Sequence, residues 1–235
     1  RVPYLRREDT TQTRQFLVPN TNDRFFDADA MDIGDIEVAG HYQINDGKDG
    51  WPFLIGNIRF KTDTGVSPFD VPIDRRFNVP TELPTGTGFL SFQPSLTAIF
   101  PSDPAVFFGN VSYLYNVEKD IDQRLSTEEL GQAPTTKRVG KIDPGDSIGF
   151  SFGTSLAFNE KASFSMAYAH SIYFKTEQDG VPIDGSDFDV GQLIFGLNYA
   201  FAKKTSTNLS VAIGATRDAP DVQMTLRVPV GFDLY

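Results

Sequence analysis

Residues 145–149 carry the most suggestive catalytic spelling in the sequence. They read Gly-Asp-Ser-Ile-Gly, which fits the pattern G-x-S-x-G of a nucleophile elbow. That motif requires a strand before the serine and a helix after it. Residues 150–158 instead alternate between apolar and small side chains, which predicts a strand. We therefore interpret the match as accidental, and we expect no catalytic residue and no enzymatic activity.

The two histidines are the other candidates for acid–base chemistry. His41 falls on the polar face of a predicted strand, and no serine or cysteine nucleophile has a partner that can be placed. His170 falls on an apolar face, where a lipid-cleaving barrel would need an outward serine beside it, and Thr154 is the only outward hydroxyl of the adjoining strand. We expect His41 to line a pore and His170 to lie at a subunit contact or in an aromatic interface belt.

Four aspartates, at positions 27, 29, 32 and 35, have a spacing that resembles a calcium loop. The glycine and the distal glutamate of an EF-hand are not in register with them, so we predict a solvated loop and neither metal nor cofactor. The sequence has no cysteine, which excludes disulfides, thiol catalysis and cysteine-ligated zinc.

Composition excludes several classes of protein. The net charge of −10 argues against nucleic-acid binding. The mean hydropathy is −0.26, and no run approaches the ~20 apolar residues that a membrane helix needs. Strands that cross a membrane are still compatible, because only every second residue is then apolar. The chain starts at Arg1 in the middle of a pattern, and we interpret it as a mature chain or a fragment whose targeting segment is missing.

Alternation between two kinds of side chain is the main evidence for the fold. In residues 222–234 the even positions are apolar and the odd positions are polar or small. The same alternation, with one face rich in Phe and Tyr and the other in Ser, Gly, Asn and Gln, recurs over 36–44, 54–61, 90–100, 107–118, 148–158, 163–174, 192–201 and 208–216. Together with a fragment at 1–8, these segments predict about ten visible strands.

A soluble β-sandwich also has alternating strands, but two features favour a barrel. The opposite faces are mainly Ser, Gly, Asn, Gln and Thr rather than the Lys and Glu of a solvated surface. Short and long connections also alternate, as in outer-membrane barrels. The short ones are 45–50, 101–104, 159–161 and 202–205, and the long ones are 9–34, 62–86, 119–146 and 175–189. We therefore predict an all-β fold, an antiparallel transmembrane β-barrel of the bacterial outer membrane that forms one domain over 1–235, with its long acidic loops outside.

Three details of the strands are less regular. Bacterial barrels have an even strand count. One strand lost upstream of Arg1 would make the count odd unless the loop at 9–34 hides another, and we expect about twelve strands in the full protein. Pro94 in mid-strand predicts a bulge or a local break. At the C-terminus the period directs Phe232 and Leu234 outward and Tyr235 inward, which predicts a change of register.

The polar faces would surround a lumen. The predicted pore-lining residues are Glu37, His41, Arg59, Lys61, Gln93, Asn110, Asn116, Glu118, Gln192, Asn198 and Arg227. A few opposed charges of this kind can set ion selectivity or hold an internal plug. Apolar exceptions on the same faces, which leave passage of an apolar solute open, are Phe53, Ile55, Phe108, Leu114 and Ile194.

Several phrases are shared with a known group of proteins. They are Val2-Pro3-Tyr4, Gly34-Asp35-Ile36-Glu37, residues 59–65 (RFKTDTG), Phe92-Gln93-Pro94-Ser95-Leu96, Ser102-Asp103-Pro104, residues 143–149 (DPGDSIG) and Ala219-Pro220-Asp221-Val222. In these phrases the chain resembles the outer-membrane channel family that includes phenol-degradation-type barrels, and within it the channels of functional-amyloid (Fap) export systems.

That resemblance implies a twelve-stranded barrel, assembled as a homotrimer, that exports unfolded amyloid subunits from the periplasm for biofilm. It also implies contact with outer-membrane lipid and lipopolysaccharide. The family's N-terminal coiled coil and plug helix have no counterpart in this sequence. Two alternatives remain open: uptake of small aromatic or hydrocarbon molecules, and a barrel phospholipase.

Overall fold

The protein is described by a computed structural model that covers residues 1–13, 24–74, 79–127, 135–202, 205–229 and 231. None of these residues belongs to a helix that is long and apolar enough to cross a membrane. The strands are Tyr4–Thr13 (β1), Arg24–Ile33 (β2), Glu37–Gln43 (β3), Phe53–Lys61 (β4), Ile73–Asp74 (β5), Val79–Pro80 (β6), Ser91–Ser102 (β7), Ala105–Asn116 (β8), Lys119–Thr127 (β9), Thr135–Asp143 (β10), Ser147–Ala157 (β11), Ala162–Tyr173 (β12), Glu177–Gln178 (β13), Val181–Pro182 (β14), Phe188–Ala202 (β15), Thr205–Gly214 (β16) and Val222–Arg227 (β17).

Nine of these strands form one antiparallel sheet, which we call the wall. Its order is β17-β16-β15-β12-β11-β8-β7-β4-β3, so that each strand pairs with its sequence neighbours in the sheet. We call the end that carries the long connections the outer end. On one face the large apolar side chains are exposed, among them Val38, Ile58, Phe92, Val111, Phe152, Met166, Leu197 and Met224. The predicted all-β fold is thereby confirmed, with the alternation that a lipid-facing surface requires.

The opposite face of the wall carries polar and small residues in matched rows. Ser95 pairs with Ser112, for example, and Ser165 pairs with Gly196. We call this face inward and the apolar face outward. Among the described residues the edge strands β3 and β17 are not paired with each other.

The fragment at 1–8 was expected to be the tail of a further strand, and Tyr4–Thr13 does form a strand. This strand pairs with β2 and is not one of the wall strands. Only Arg1 contacts the wall, because its terminal amino group donates to the Glu37 carbonyl at 2.7 Å and its carbonyl accepts from the Glu37 N–H at 3.0 Å. The described wall therefore has nine strands rather than about ten.

Several predicted loops are themselves sheets. The segment 9–34 does contain a further strand, β2, and 119–146 contains the β9–β10 hairpin. The segment 175–189 contributes β13 and β14, and β13 pairs with β10. The reading as loops is wrong here because β9 (KDIDQRLST) and β10 (TTKRVGKID) consist mostly of polar residues, and because the apolar and polar residues of β2 (RFFDADAMDI) do not alternate along the whole strand.

Pro94 breaks one ladder without a bulge. Strand β7 runs through it and pairs Pro94 with Ile58 of β4. The ladder to β8 stops after Phe92 and resumes at Ser95 in the same register. The missing proline N–H accounts for this local break. The predicted change of register at Phe232 and beyond lies outside the described residues.

Candidate functional site

A chain of hydrogen bonds crosses the inward face of β3, β4, β7 and β8. His41 Nδ1 lies 2.7 Å from the Asn57 side-chain oxygen. The Asn57 amide donates to the hydroxyls of Ser95 at 3.2 Å and Thr97 at 3.1 Å. Asn110 donates to the same Thr97 hydroxyl at 2.9 Å. We call these five residues the polar ladder, and it gives this part of the inward face a continuous line of hydrogen-bonding groups.

The inward charges of β3 and β4 are paired with each other or with nearby groups. Arg59 Nη1 lies 3.2 Å from Glu37 Oε1, and Arg1 lies 3.8 Å from the other Glu37 oxygen. Lys61 Nζ lies 3.0 Å from Asp35 Oδ2. Because each carboxylate has a cation beside it, this part of the inward face has alternating charge rather than one sign.

Asp35 joins three segments at the outer end, namely its own, residues 61–65 and residues 86–87. Its buried carboxylate accepts from Lys61, from the Thr87 N–H and hydroxyl, both at 2.9 Å, and from the Gly65 N–H at 3.1 Å. Burial by itself would raise the pKa of Asp35, but these hydrogen bonds together hold the pKa below its usual value of 3.8. The backbone of Gly86 lies against both Gly65 and Asp35, so a Cβ on Gly86 would collide with Asp35 Oδ1. We call this cluster the Asp35 latch, and it fixes the connection between β4 and β7 to the rim.

The inward faces of β11, β12, β15 and β16 carry no charged residue and are formed mainly by small side chains. We call these four strands the far wall, and β3, β4, β7 and β8 the near wall. The small inward residues of the far wall include Gly149, Ser151, Gly153, Ser155, Ser165, Ala167, Ala169, Ser171, Gly196 and Ser210. One amide pair, Asn208 to Asn198 at 2.6 Å, interrupts them.

An apolar row runs round both walls at a single register. It joins Phe53, Ile99, Phe108, Gly153, Ala167, Ile194 and Ala212 through successive cross-strand pairs. Phe53, Phe108 and Ile194 stood out in the sequence only as isolated exceptions, and Ile99 was missed. The short turns at 101–104 and 159–161 are the signal that could have aligned them, since turn length sets hairpin register. Ile55 and Leu114 lie on other rows, opposite Thr97 and Ser147.

Most predicted pore-lining residues share the inward face of the wall. These are Glu37, His41, Arg59, Lys61, Gln93, Asn110, Gln192, Asn198 and Arg227. Asn116 is the last residue of β8 and links the neighbouring segments at the outer end. Its side-chain oxygen accepts from the Ser91 hydroxyl at 2.7 Å, and its amide donates to the Gly145 carbonyl at 2.5 Å. Glu118 lies beyond β8 and pairs with Lys141 of β10, outside the wall. The role of all these residues in lining a pore stays a prediction.

His170 lies on the outward face among aromatic rings. It stacks on Phe150 with ring centroids 5.3 Å apart, its Nδ1 lies 2.9 Å from the Tyr168 hydroxyl, and its Nε2 lies 3.6 Å from Asp189. The register separates it from Thr154, because His170 pairs with Phe150 and Thr154 pairs with Met166. The register therefore does not bring the Thr154 hydroxyl to this histidine. Within the described ranges no group of three or more acidic or histidine side chains could hold a metal ion.

Comparison with known proteins gives one informative result at the level of fold. No family model matches the sequence. The structure is similar to the crystal structure of the COG4313 outer membrane channel from Pseudomonas putida F1, with a TM-score of 0.61 and 12% sequence identity, over 88% of this chain and 71% of that chain. At this identity the likeness concerns fold alone. The chain therefore shares the antiparallel all-β fold of that outer-membrane channel.

Proposed function

We propose that the protein is a channel in the bacterial outer membrane and has no enzymatic activity. The observation that supports this proposal is the division of the wall into two faces. The outward face exposes large apolar side chains, such as Phe152 at 59% and Leu197 at 53%, while the inward face carries the polar ladder. An apolar exterior suits lipid, and a polar interior suits a water-filled lumen.

Planar-bilayer recording of the purified protein tests the channel proposal. We expect stepwise increases of current when the protein is added, with a constant current per step. Absence of current steps from protein that is folded, as judged by its altered gel mobility before and after heating, would contradict the proposal.

For the cargo, the family resemblance leads us to propose export of unfolded amyloid subunits, by a homotrimer surrounded by lipid and lipopolysaccharide. The far wall supports this proposal, because small uncharged side chains give a passing polypeptide few strong contacts. Deletion of the gene should abolish surface amyloid, measured by Congo red binding, and the wild-type gene should restore it. Unchanged amyloid in the deletion strain would exclude this cargo.

Uptake of small apolar solutes is the second candidate, and the apolar row favours it. Phe53, Ile99, Phe108 and Ile194 place large apolar groups at one register of an otherwise polar lumen. Replacing Phe108 with Ser should slow uptake of a hydrocarbon such as toluene into proteoliposomes several-fold, while the ionic conductance persists. Ser112→Ala, on the same face of β8, is the matched control. If the cargo is a polypeptide, neither change should alter toluene uptake.

A further inference from the structure

We propose that Tyr173 and Phe188 form a binding platform for an uncharged flat aromatic ring at the outer end of the lumen. Tyr173 is the last residue of β12 and Phe188 is the first residue of β15. Their rings are stacked, with centroids 4.4 Å apart and an angle of 14° between the planes. This inference rests on the proposed channel function, because it assigns a ligand to the same lumen.

The register places both rings on the inward face. Tyr173 pairs with Phe188, and the inward residues Ser171 and Val190 form a pair two positions further along the same two strands. On the neighbouring strand β11, Tyr173 faces Ser147, whose exposed fraction is only 5%. The platform therefore continues the surface of the far wall.

The exposure of Phe188 is what requires an explanation. Its exposed fraction is 44%, similar to that of the outward Phe174 at 43%. Phe174 is accounted for by lipid, whereas Phe188 on the inward face would meet water. An apolar ring left in water forfeits a burial free energy of about 25 cal/mol per Å². A ligand ring laid on Phe188 would recover part of it.

Hydrogen bonds hold the platform in place from the outer side. The segment between the two rings folds back on itself, because the Thr176 N–H donates to the Ser186 hydroxyl at 2.9 Å and that hydroxyl donates to the Ile183 carbonyl at 2.7 Å. Lys175 also pairs with Asp184 at 3.0 Å. A stack that is already formed loses little conformational entropy when a ligand binds.

The surroundings select the class of ligand. The inward neighbours Ser147, Ser171 and Val190 supply no charge and few free hydrogen-bonding groups, so a sugar or an ionised ring would lose more hydration than it regains. Along β15, Phe188 lies three inward positions before Ile194 of the apolar row. A neutral aromatic solute that enters from the outer end would thus meet the platform before the row.

Inhibition of ion current by 2-naphthol tests the platform. The compound is added to each side in turn of a planar bilayer that holds single copies of wild type, Phe188→Ala or Phe174→Ala, and the concentration for half-maximal reduction of current is measured. We expect this concentration to rise about fivefold in Phe188→Ala, in line with the usual contribution of an aromatic pair, and to stay unchanged in Phe174→Ala. Tyr173→Ala serves as a second variant if Phe188→Ala does not fold.

Equal sensitivity of wild type and both platform variants to 2-naphthol would overturn the inference while leaving the channel intact. Stronger inhibition by glucose than by 2-naphthol would overturn the aromatic class. A wild type without current would refute the proposed function instead. In that case saturation-transfer NMR on the detergent-solubilised protein measures naphthol binding directly, and binding that Phe188→Ala does not weaken counts against the platform.

Discussion

The near wall and the far wall differ in the side chains that cover their inward faces. Both belong to one antiparallel sheet with an apolar outward face. The near wall fills its inward face with amides, hydroxyls and paired charges, whereas the far wall uses glycine, alanine and serine. We infer that the near wall is stabilised by hydrogen bonds between side chains, and the far wall by close packing of its strands.

Removing the charge of Asp35 should have the largest effect. Asp35→Asn leaves the Lys61 ammonium, whose side chain is 17% exposed, without its carboxylate partner, and this should lower the free energy of unfolding by about 3 kcal/mol. Urea unfolding in lipid vesicles, followed by the fluorescence of the single tryptophan Trp51, measures it. The matched control is Glu37→Gln, which affects a more exposed pair and should cost under about 1 kcal/mol. Equal losses in the two variants would refute the special role of the latch.

A methyl group at Gly153 should break the far wall. Its Cβ would lie 2.5 Å from the Met166 carbonyl and 2.7 Å from the Ala167 Cβ, so the strands must move apart. We expect Gly153→Ala to cost about 2 kcal/mol in the same urea assay. Gly109→Ala is the control, because the nearest atom to its Cβ is 3.7 Å away. An unchanged free energy of unfolding in Gly153→Ala would show that close packing does not stabilise the far wall.

Loss of the central amide should weaken the near wall by a smaller amount. Asn57→Ala removes the hydrogen bonds to His41, Ser95 and Thr97, and it should cost about 1.5 kcal/mol. Ser151→Ala, at an inward position of the far wall, should change the unfolding free energy by less than about 0.5 kcal/mol. A larger effect of Ser151→Ala than of Asn57→Ala would reverse the comparison.

Acid should weaken the latch before it affects the far wall. Because the folded pKa of Asp35 is lowered, its stabilisation is fully present above the unfolded-state value of 3.8 and is lost as the pH falls through the lower folded-state pKa. Wild type should therefore lose stability below about pH 4, and Asp35→Asn should lose less over the same range. Parallel pH profiles of the two proteins would contradict this assignment.

Local alternation in the sequence predicts the faces of the wall strands well. It does not predict features that depend on contacts between residues far apart in the sequence. The faces of β11 and β12 can be read from residues 148–158 and 163–174, because one face must meet lipid. The Asp35 latch could not be predicted, since its members come from three separate segments that only the folded outer end brings together.

The candidate site is predictable to a similar degree. The inward positions of the polar ladder follow from alternation, but the apolar row depends on register across seven strands, and the platform depends on the fold of residues 174–187. Strands β9 and β10 were hidden because most of their residues are polar, and β2 was hidden because its apolar and polar residues do not alternate along the whole strand.

Cysteine scanning along β12 tests whether the wall separates lipid from a water-filled lumen, and the sequence has no cysteine of its own that would interfere. Single cysteines are introduced in turn from Ser163 to Ser171 and treated with a membrane-impermeant thiol reagent in lipid vesicles. We expect modification at the odd positions, which would face the lumen, and protection at the even positions, which would face lipid. Modification without this period of two, or preferential modification of the even positions, would contradict a wall that separates lipid from a water-filled lumen.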